Sequence, residues 1–320
     1  MPGNITTGRT IRDHVAQVSA ALEKGQAARS SIVASWARSA RHGLAPSALA
    51  PRDQRLDGMG LARLRERMEP VTRAARPTLE RLFQVVGGFG ASVILASEDG
   101  IPFERLVKQS EDRDFQDAGL SAGSDWSEAA VGTNGIGTCL AEGRPVVIHR
   151  DQHYLAANTA LTCASAPIWD PSGDLVAVLD VSTVRADIAE GFSGLLSHSV
   201  HEAARRIEAD LFQARYSGAR MVLVPGADRG TGALLAVDAD ELVIGATRMA
   251  RQHLGLTGDL ARNPVPAADL LGVSSHLRPE DGERAVIHRA IARTGGNISA
   301  AARALGISRA TLHRKMGRSD

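Results

Sequence analysis

This sequence predicts an α+β chain in three parts: an antiparallel sheet flanked by helices, a smaller α+β unit, and an all-α tail. Three observations carry that expectation. From Ala91 the apolar residues change from helical to strand spacing, in the runs ASVILAS, PVVIHR, LTCASAPIW and LVAVLDVS. The last two runs are joined by DPSGD, a turn built on Pro171 and Gly173, so they should form a hairpin. After Arg278 come three short helical runs punctuated by glycines.

The elements follow in order. Two helices are expected near Thr10–Lys24 and Ala28–Arg41, with Gly43 as a stop. A loop with Pro46 and Pro51 follows, and then a long helical stretch that Pro70 and Pro77 should kink or divide. Between the strands, VGTNGIGTCLAEG reads as a short helix opened at a Gly-Thr-Asn turn. Asp187–Tyr216 reads as one long amphipathic helix. ARMVLVPG and GALLAVDAD look like strands, ELVIGATRMARQHLGL like a strand running into a helix, and NPVPA like a linker. The expected divisions are a helical lead-in over 1–70, a sensor-like domain over 71–214, a small α+β unit over 215–268 and the tail over 269–320.

Composition narrows the class. The chain has 320 residues, 43% hydrophobic and 23% charged, enough for two or three domains. No stretch approaches a membrane span, and MPGNITTGRT lacks the apolar core of a signal peptide. With only Cys139 and Cys163, a cytoplasmic protein without a disulfide framework is expected. Net charge is +1, but eight Arg or Lys face four acids between Glu280 and Asp320. Such a local excess is the footprint of phosphate binding.

The tail carries the sharpest signal. Helices are expected over Pro279–Thr294, ISAAARAL and RATLHRKM, with Asn297 and Ser308 as N-caps and Gly306 in the turn. Two short helices joined by about three residues around a glycine have helix-turn-helix spacing. Ala301 lies where the helices cross, and Ile298, Leu305, Ile307 and Leu312 fall on the buried side. The last helix then exposes Arg309, His313 and Arg314, with Lys315 beside them, Thr311 short enough for a base edge, and Ser308 placed for phosphate. GGNISAAARALGISRATLHRKM resembles the Fis-type DNA-binding domain. The resemblance implies a homodimer, formed through the helix before the motif, reading a two-fold-related site on double-stranded DNA.

The middle carries a second resemblance. WSEAAVGTNGIGTCLAEGRPVVIHRDQHYLAANTALTCASAPIWDPSGDLVAVLDVS resembles the GAF sensor domain of acetoin- and glycerol-catabolism regulators, and SIVASWARSARHGL resembles their helical lead-in. The segment at 232–256 is similar to their PAS-like unit. In those activators an ATPase domain separates sensor from tail. Here no GxxxxGK[ST] loop or GAFTGA motif occurs. The expectation is a regulator that acts without ATP hydrolysis, through occupancy, contact with RNA polymerase, or partnership with another activator.

Within the sensor, a small organic ligand is expected near Trp126, Asn134, His153 and Cys163. GTNGIG either offers helix N–H groups to an anion or packs the helix on the sheet. His149, His153 and Cys163 are metal-ligand types without tight spacing, so no metal or cofactor is expected. Cys139 on a helix and Cys163 on a strand lack the paired, accessible thiols of an enzyme. The alternative is a sensor domain that serves only as a dimer platform.

Overall fold

The computed structural model describes residues 8–49, 55–185, 190–227, 232–272 and 282–316. These fall into two compact units: the first takes the chain up to Ile207 except the turn Pro171–Gly173, and the second takes that turn and the chain from Glu208 onward.

The first unit opens with helices α1 (Gly8–Glu23) and α2 (Ser31–Arg41), α2 being capped by Ser30. Helices α3 (Gly58–Arg67) and α4 (Glu69–Val86) follow. Pro70 lies in the first turn of α4, where its missing N–H costs nothing, and so separates the two helices. Pro77 sits inside α4 without dividing it. The strands are β1 (Ala91–Ser97), β2 (Pro102–Leu106), β3 (Val146–His149), β4 (Thr162–Trp169) and β5 (Leu175–Thr183). Between β2 and β3 lie α5 (Asp112–Asp117), α6 (Glu128–Val131) and α7 (Gly135–Glu142).

The strand order is β2-β1-β5-β4-β3, antiparallel throughout. The β4–β5 hairpin closes as expected: the Asp170 backbone N–H donates to Asp174 O at 2.8 Å and Gly173 takes φ +96°. β2 was not legible, because PFERL is short and two of its five residues are charged. Every residue of β1 is buried, so the sheet is covered on both faces. Ile94 and Ala96 share a core with Trp126, Ile136 and Tyr154, together with Val18, Val33 and Trp36 from the lead-in helices. α4 packs on β1 and β2, and α7 on β3, β4 and β5.

Helix α8 (Glu190–Arg215) carries the chain into the second unit. The expected start of this helix at Asp187 lies outside the described residues. The second unit holds β6 (Arg220–Leu223), β7 (Leu234–Val237) and β8 (Leu242–Ala246), then α9 (Arg248–Leu254), β9 (Val265–Pro266) and α10 (Ala267–Leu271). Its sheet is an antiparallel meander, β6-β7-β8-β9. The NPVPA segment, expected as a linker, supplies the edge strand β9. An edge accepts Pro266 because no ladder N–H is needed on its open side.

The tail forms α11 (Gly282–Arg293), α12 (Ile298–Ala304) and α13 (Arg309–Met316). The expected beginning of α11 at Pro279 lies outside the described residues. No described helix is long and apolar enough to cross a membrane.

Candidate functional site

The tail is built locally as its residues dictate. Just past the end of α11 the chain turns at Gly295 and Gly296, both with positive φ. Asn297 Oδ1 accepts the Ala300 N–H at 3.0 Å and starts α12. Gly306 turns the chain at φ +68°. Ser308 Oγ then accepts the Thr311 N–H at 3.0 Å and lies 2.8 Å from the Thr311 hydroxyl. Ala301 is fully buried where α12 and α13 approach, in a core with Ile287, Ala290, Ala302 and Leu312. Arg309, His313 and Arg314 are exposed on one side of α13, with Thr311 and Lys315 half-buried. Ser308 and Thr311 therefore hold the start of the helix, and the two arginines and His313 form its open face.

The four sensor residues gather around the start of α7, but they are packed against protein. Asn134 is the N-cap: its Oδ1 accepts the Gly137 N–H at 2.9 Å. Its Nδ2 donates to Trp126 O at 3.0 Å and Gly132 O at 2.8 Å. A Cβ on Gly135 would stand 2.5 Å from Ser165 Oγ and 2.6 Å from Cys163 Cβ, so the start of α7 is closed against the sheet. Of the two roles open to GTNGIG, the structure has the packing one.

Behind that turn lies a buried polar chain. His153 Nδ1 donates to Arg150 O at 3.0 Å, which leaves Nε2 as the acceptor, 3.5 Å from Cys163 Sγ. Ser182 Oγ lies 3.1 Å from that sulfur and donates to Asp180 Oδ2 at 2.6 Å; Ser165 donates to Asp180 Oδ1 at 2.5 Å. Burial lowers the pKa of His153 to about 4 and raises that of Asp180 to about 6. Burial also pushes both thiols, Cys139 and Cys163, well above their ordinary value. Neutral, sealed thiols are poor nucleophiles and poor ligands. No cluster of three metal-ligand side chains occurs among the described residues.

Open space lies elsewhere in the same unit. A cleft of about 940 Å³ is bounded by Trp126 and Val131, by Asp125 and Gly119, and by Ala157 and Asn158. Of the four expected residues, only Trp126 lines it. The Trp126 Nε1 donates to Gly119 O at 3.1 Å, which fixes the ring as a wall. Asn158 is 2% exposed and its Nδ2 has no hydrogen-bond partner. Sequence reasoning does not single out Asn158; its one signal is a lone amide in the apolar run YLAANTAL.

The lead-in is tied to this region by buried polar bonds. Glu128 accepts Ser35 Oγ at 2.5 Å, Thr138 Oγ1 at 2.9 Å and Arg38 Nε at 2.7 Å. Burial works against its charge, but these donors outweigh burial and hold the carboxyl below its usual range. Trp36 Nε1 donates to Gln152 O at 2.8 Å, and the Tyr154 hydroxyl to Leu44 O at 2.8 Å.

An α+β sensor-type module followed by a helix-turn-helix with an open basic face defines a DNA-binding transcription regulator. Comparison with known proteins agrees. The chain belongs to the family described as "MimR, N-terminal domain", whose model matches residues 6–208, and the model "Bacterial regulatory protein, Fis family" matches residues 278–318. It is 33% identical over 246 residues to the acetoin catabolism regulatory protein of Cupriavidus necator, covering 74% of this chain and 36% of that one. It is 36% identical over 132 residues to the propane 2-monooxygenase operon transcriptional activator MimR of Mycolicibacterium smegmatis, covering 41% of this chain and 22% of that protein. The matched region thus spans about a third or less of these relatives. Among solved structures, the E. coli DhaR(N)–DhaL complex aligns with TM-score 0.51 at 15% identity, over 71% of this chain and 76% of that chain, a likeness of fold. The protein is related to the acetoin- and MimR-type transcription regulators, with a MimR-family N-terminal domain and a Fis-type tail.

Proposed function

We propose that the chain binds specific sites on double-stranded DNA as a homodimer and regulates transcription without hydrolysing ATP. Its reading residues are Arg309, His313, Arg314 and Lys315, with Ser308 and Thr311 placing the helix start against phosphate. The observation that carries this reading is the open basic face of α13 above a closed small-residue core. Arginine bonds guanine bidentately in the major groove, and each such pair contributes about 1–3 kcal/mol of discrimination. Arg309→Ala should therefore weaken the specific site by about 1–3 kcal/mol and relax one base position, read by titrating an enriched duplex and its single-base variants. Equal affinity of variant and parent would remove Arg309 from the interface.

The sensor reading assigns a small organic ligand to the cleft beside Trp126. The support is a cleft walled by Trp126 and Val131, with Arg55, Gln116 and Asp125 on its polar side and a buried, unpartnered amide at Asn158. Asn134 holds the Trp126 carbonyl from behind that wall, and Cys163 shares its core. One relative is named for acetoin catabolism and another for a propane 2-monooxygenase operon, both concerned with small carbon compounds. A panel of short alcohols, ketones and aldehydes, read by Trp126 fluorescence in a Trp36→Phe/Trp169→Phe background, tests it. No response from any member would favour the domain as a dimer platform or co-regulator. RNA polymerase is the candidate target of direct contact.

A further inference from the structure

Helix α11 has two working faces. Ile287, Ala290 and Ile291 close the helix-turn-helix core. Ala285, Arg289 and Arg293 recur every four residues on the opposite side, and α11 packs against β9. Ala285 is 1% exposed and Arg289 6%. The back of the DNA-binding tail is thus already covered by the small α+β unit.

The seam between them is matched in charge. Arg293 donates to Asp269 through Nε at 2.8 Å and Nη2 at 2.6 Å. His288 Nδ1 donates to Asp240 Oδ2 at 2.5 Å. Asp240 is held out by a tight turn between β7 and β8. Asp238 Oδ1 accepts the N–H groups of Asp240 and Leu242, each at 2.9 Å. The next residue, Glu241, takes φ +62°, a left-handed conformation unusual for a residue with a Cβ, and its carboxylate is gripped by Arg220. That turn places an acidic side chain on the basic helix at a local conformational cost.

The seam is also incompletely satisfied. Arg289 is buried in it, and its Nη1 has no hydrogen-bond partner. The Asp269–Arg293 pair is about half exposed and contributes little in water. Weak pairs set against a desolvated, under-bonded guanidinium make a seat that is easily left. While seated, the tail has His288 and Arg293 paired to carboxylates, so neither cation is free to meet a phosphate.

We propose that this seam is an autoinhibitory seat: DNA binding draws on the fraction of molecules in which α11 has left the small sheet. The proposal rests on the reading of α13 as the DNA-binding helix. Apparent affinity then scales with the open fraction, and loosening the seat tightens binding without touching a DNA contact.

The experiment uses the full chain and a duplex enriched from a random pool by the wild-type protein. Asp240→Asn with Asp269→Asn keeps shape and removes charge; it should bind roughly 3- to 10-fold more tightly. Asp269→Cys with Arg293→Cys, bridged by a bis-maleimide, should bind at least about 10-fold more weakly than the same protein unbridged. Unchanged or weaker binding by the asparagine variant with normal melting overturns the seat, as does equal affinity of bridged and unbridged protein. If the asparagine variant does not fold, the bridged pair decides. Should wild-type protein bind no duplex, the DNA reading fails instead, and the seat is read by hydrogen exchange alone. Faster exchange of α11 amides in the asparagine variant is then expected, and unchanged protection overturns the seam.

Discussion

His153 and Asp180 are titratable side chains sealed in one core, and their burial acts in opposite directions on stability. The folded pKa of Asp180 is raised from 3.8 to about 6, so the folded protein holds this proton more tightly than the unfolded chain. The cost of burying its charge is absent below pH 3.8 and complete above about pH 6, and stability from this group falls as pH rises through that window. The folded pKa of His153 is lowered from 6.5 to about 4, so the unfolded chain takes up the proton first. Stability from this group falls as pH drops from 6.5 towards 4. The two slopes oppose each other between about pH 4 and 6 and flatten the profile there. Asp180→Asn removes one of them. Its urea-unfolding free energy should therefore climb with pH between about 4 and 6, where wild type stays nearly level. A variant profile parallel to wild type would show that Asp180 does not titrate in the fold.

At the scale of elements, the tail was the most legible part, because each of its signals is local. Asn297, Gly306, Ser308 and Ala301 fix caps, turn and crossing without reference to the rest of the chain. Asn297→Ala removes the acceptor for the Ala300 N–H and should cost about 0.5–2 kcal/mol, read in the hydrogen exchange of α12. Exchange no faster than wild type would mean that another group caps the helix. The strands β1, β3, β4 and β5 were legible from spacing and the DPSGD turn. β2 and β9 were not, since a charged five-residue strand and a proline-bearing edge pair carry no period of their own. Of the residues that line the cleft, sequence pointed only to Trp126. Asn134, His153 and Cys163 are polar or soft residues in an apolar stretch, and sequence alone cannot tell a pocket from a satisfied core. The difference lies in partners: Asn134 bonds to Trp126 O, Gly132 O and the Gly137 N–H, whereas the amide nitrogen of Asn158 has none. The seam at Asp240, Asp269, His288 and Arg293 is equally silent in sequence, because its partners lie 24 and 48 residues apart.

For the whole molecule, the element that belongs to both compact units is α8. Leu196, Val200, Ala204 and Ile207 are buried from its first part; Ala209 and Phe212 pack with Leu234 and Ala236 from its last. If a ligand in the sensor cleft alters DNA affinity, the coupling must be carried by something both units share, and a continuous helix transmits rotation as well as translation. Each added residue turns the downstream part of the helix by about 100° and advances it about 1.5 Å. Two alanines inserted between Ile207 and Glu208 add about 200° and should abolish the effect of ligand on DNA binding, while each unit keeps its own core. Four alanines add about 400°, close to the starting phase, and should restore much of the effect. The readout is DNA affinity with and without whichever small oxygenated compound quenches Trp126. Coupling of about 5- to 150-fold is the range expected of an allosteric protein, and reciprocity requires the same factor in ligand affinity when DNA is added. A ligand effect of equal size in wild type and both insertions would show that the signal does not run through the phase of α8.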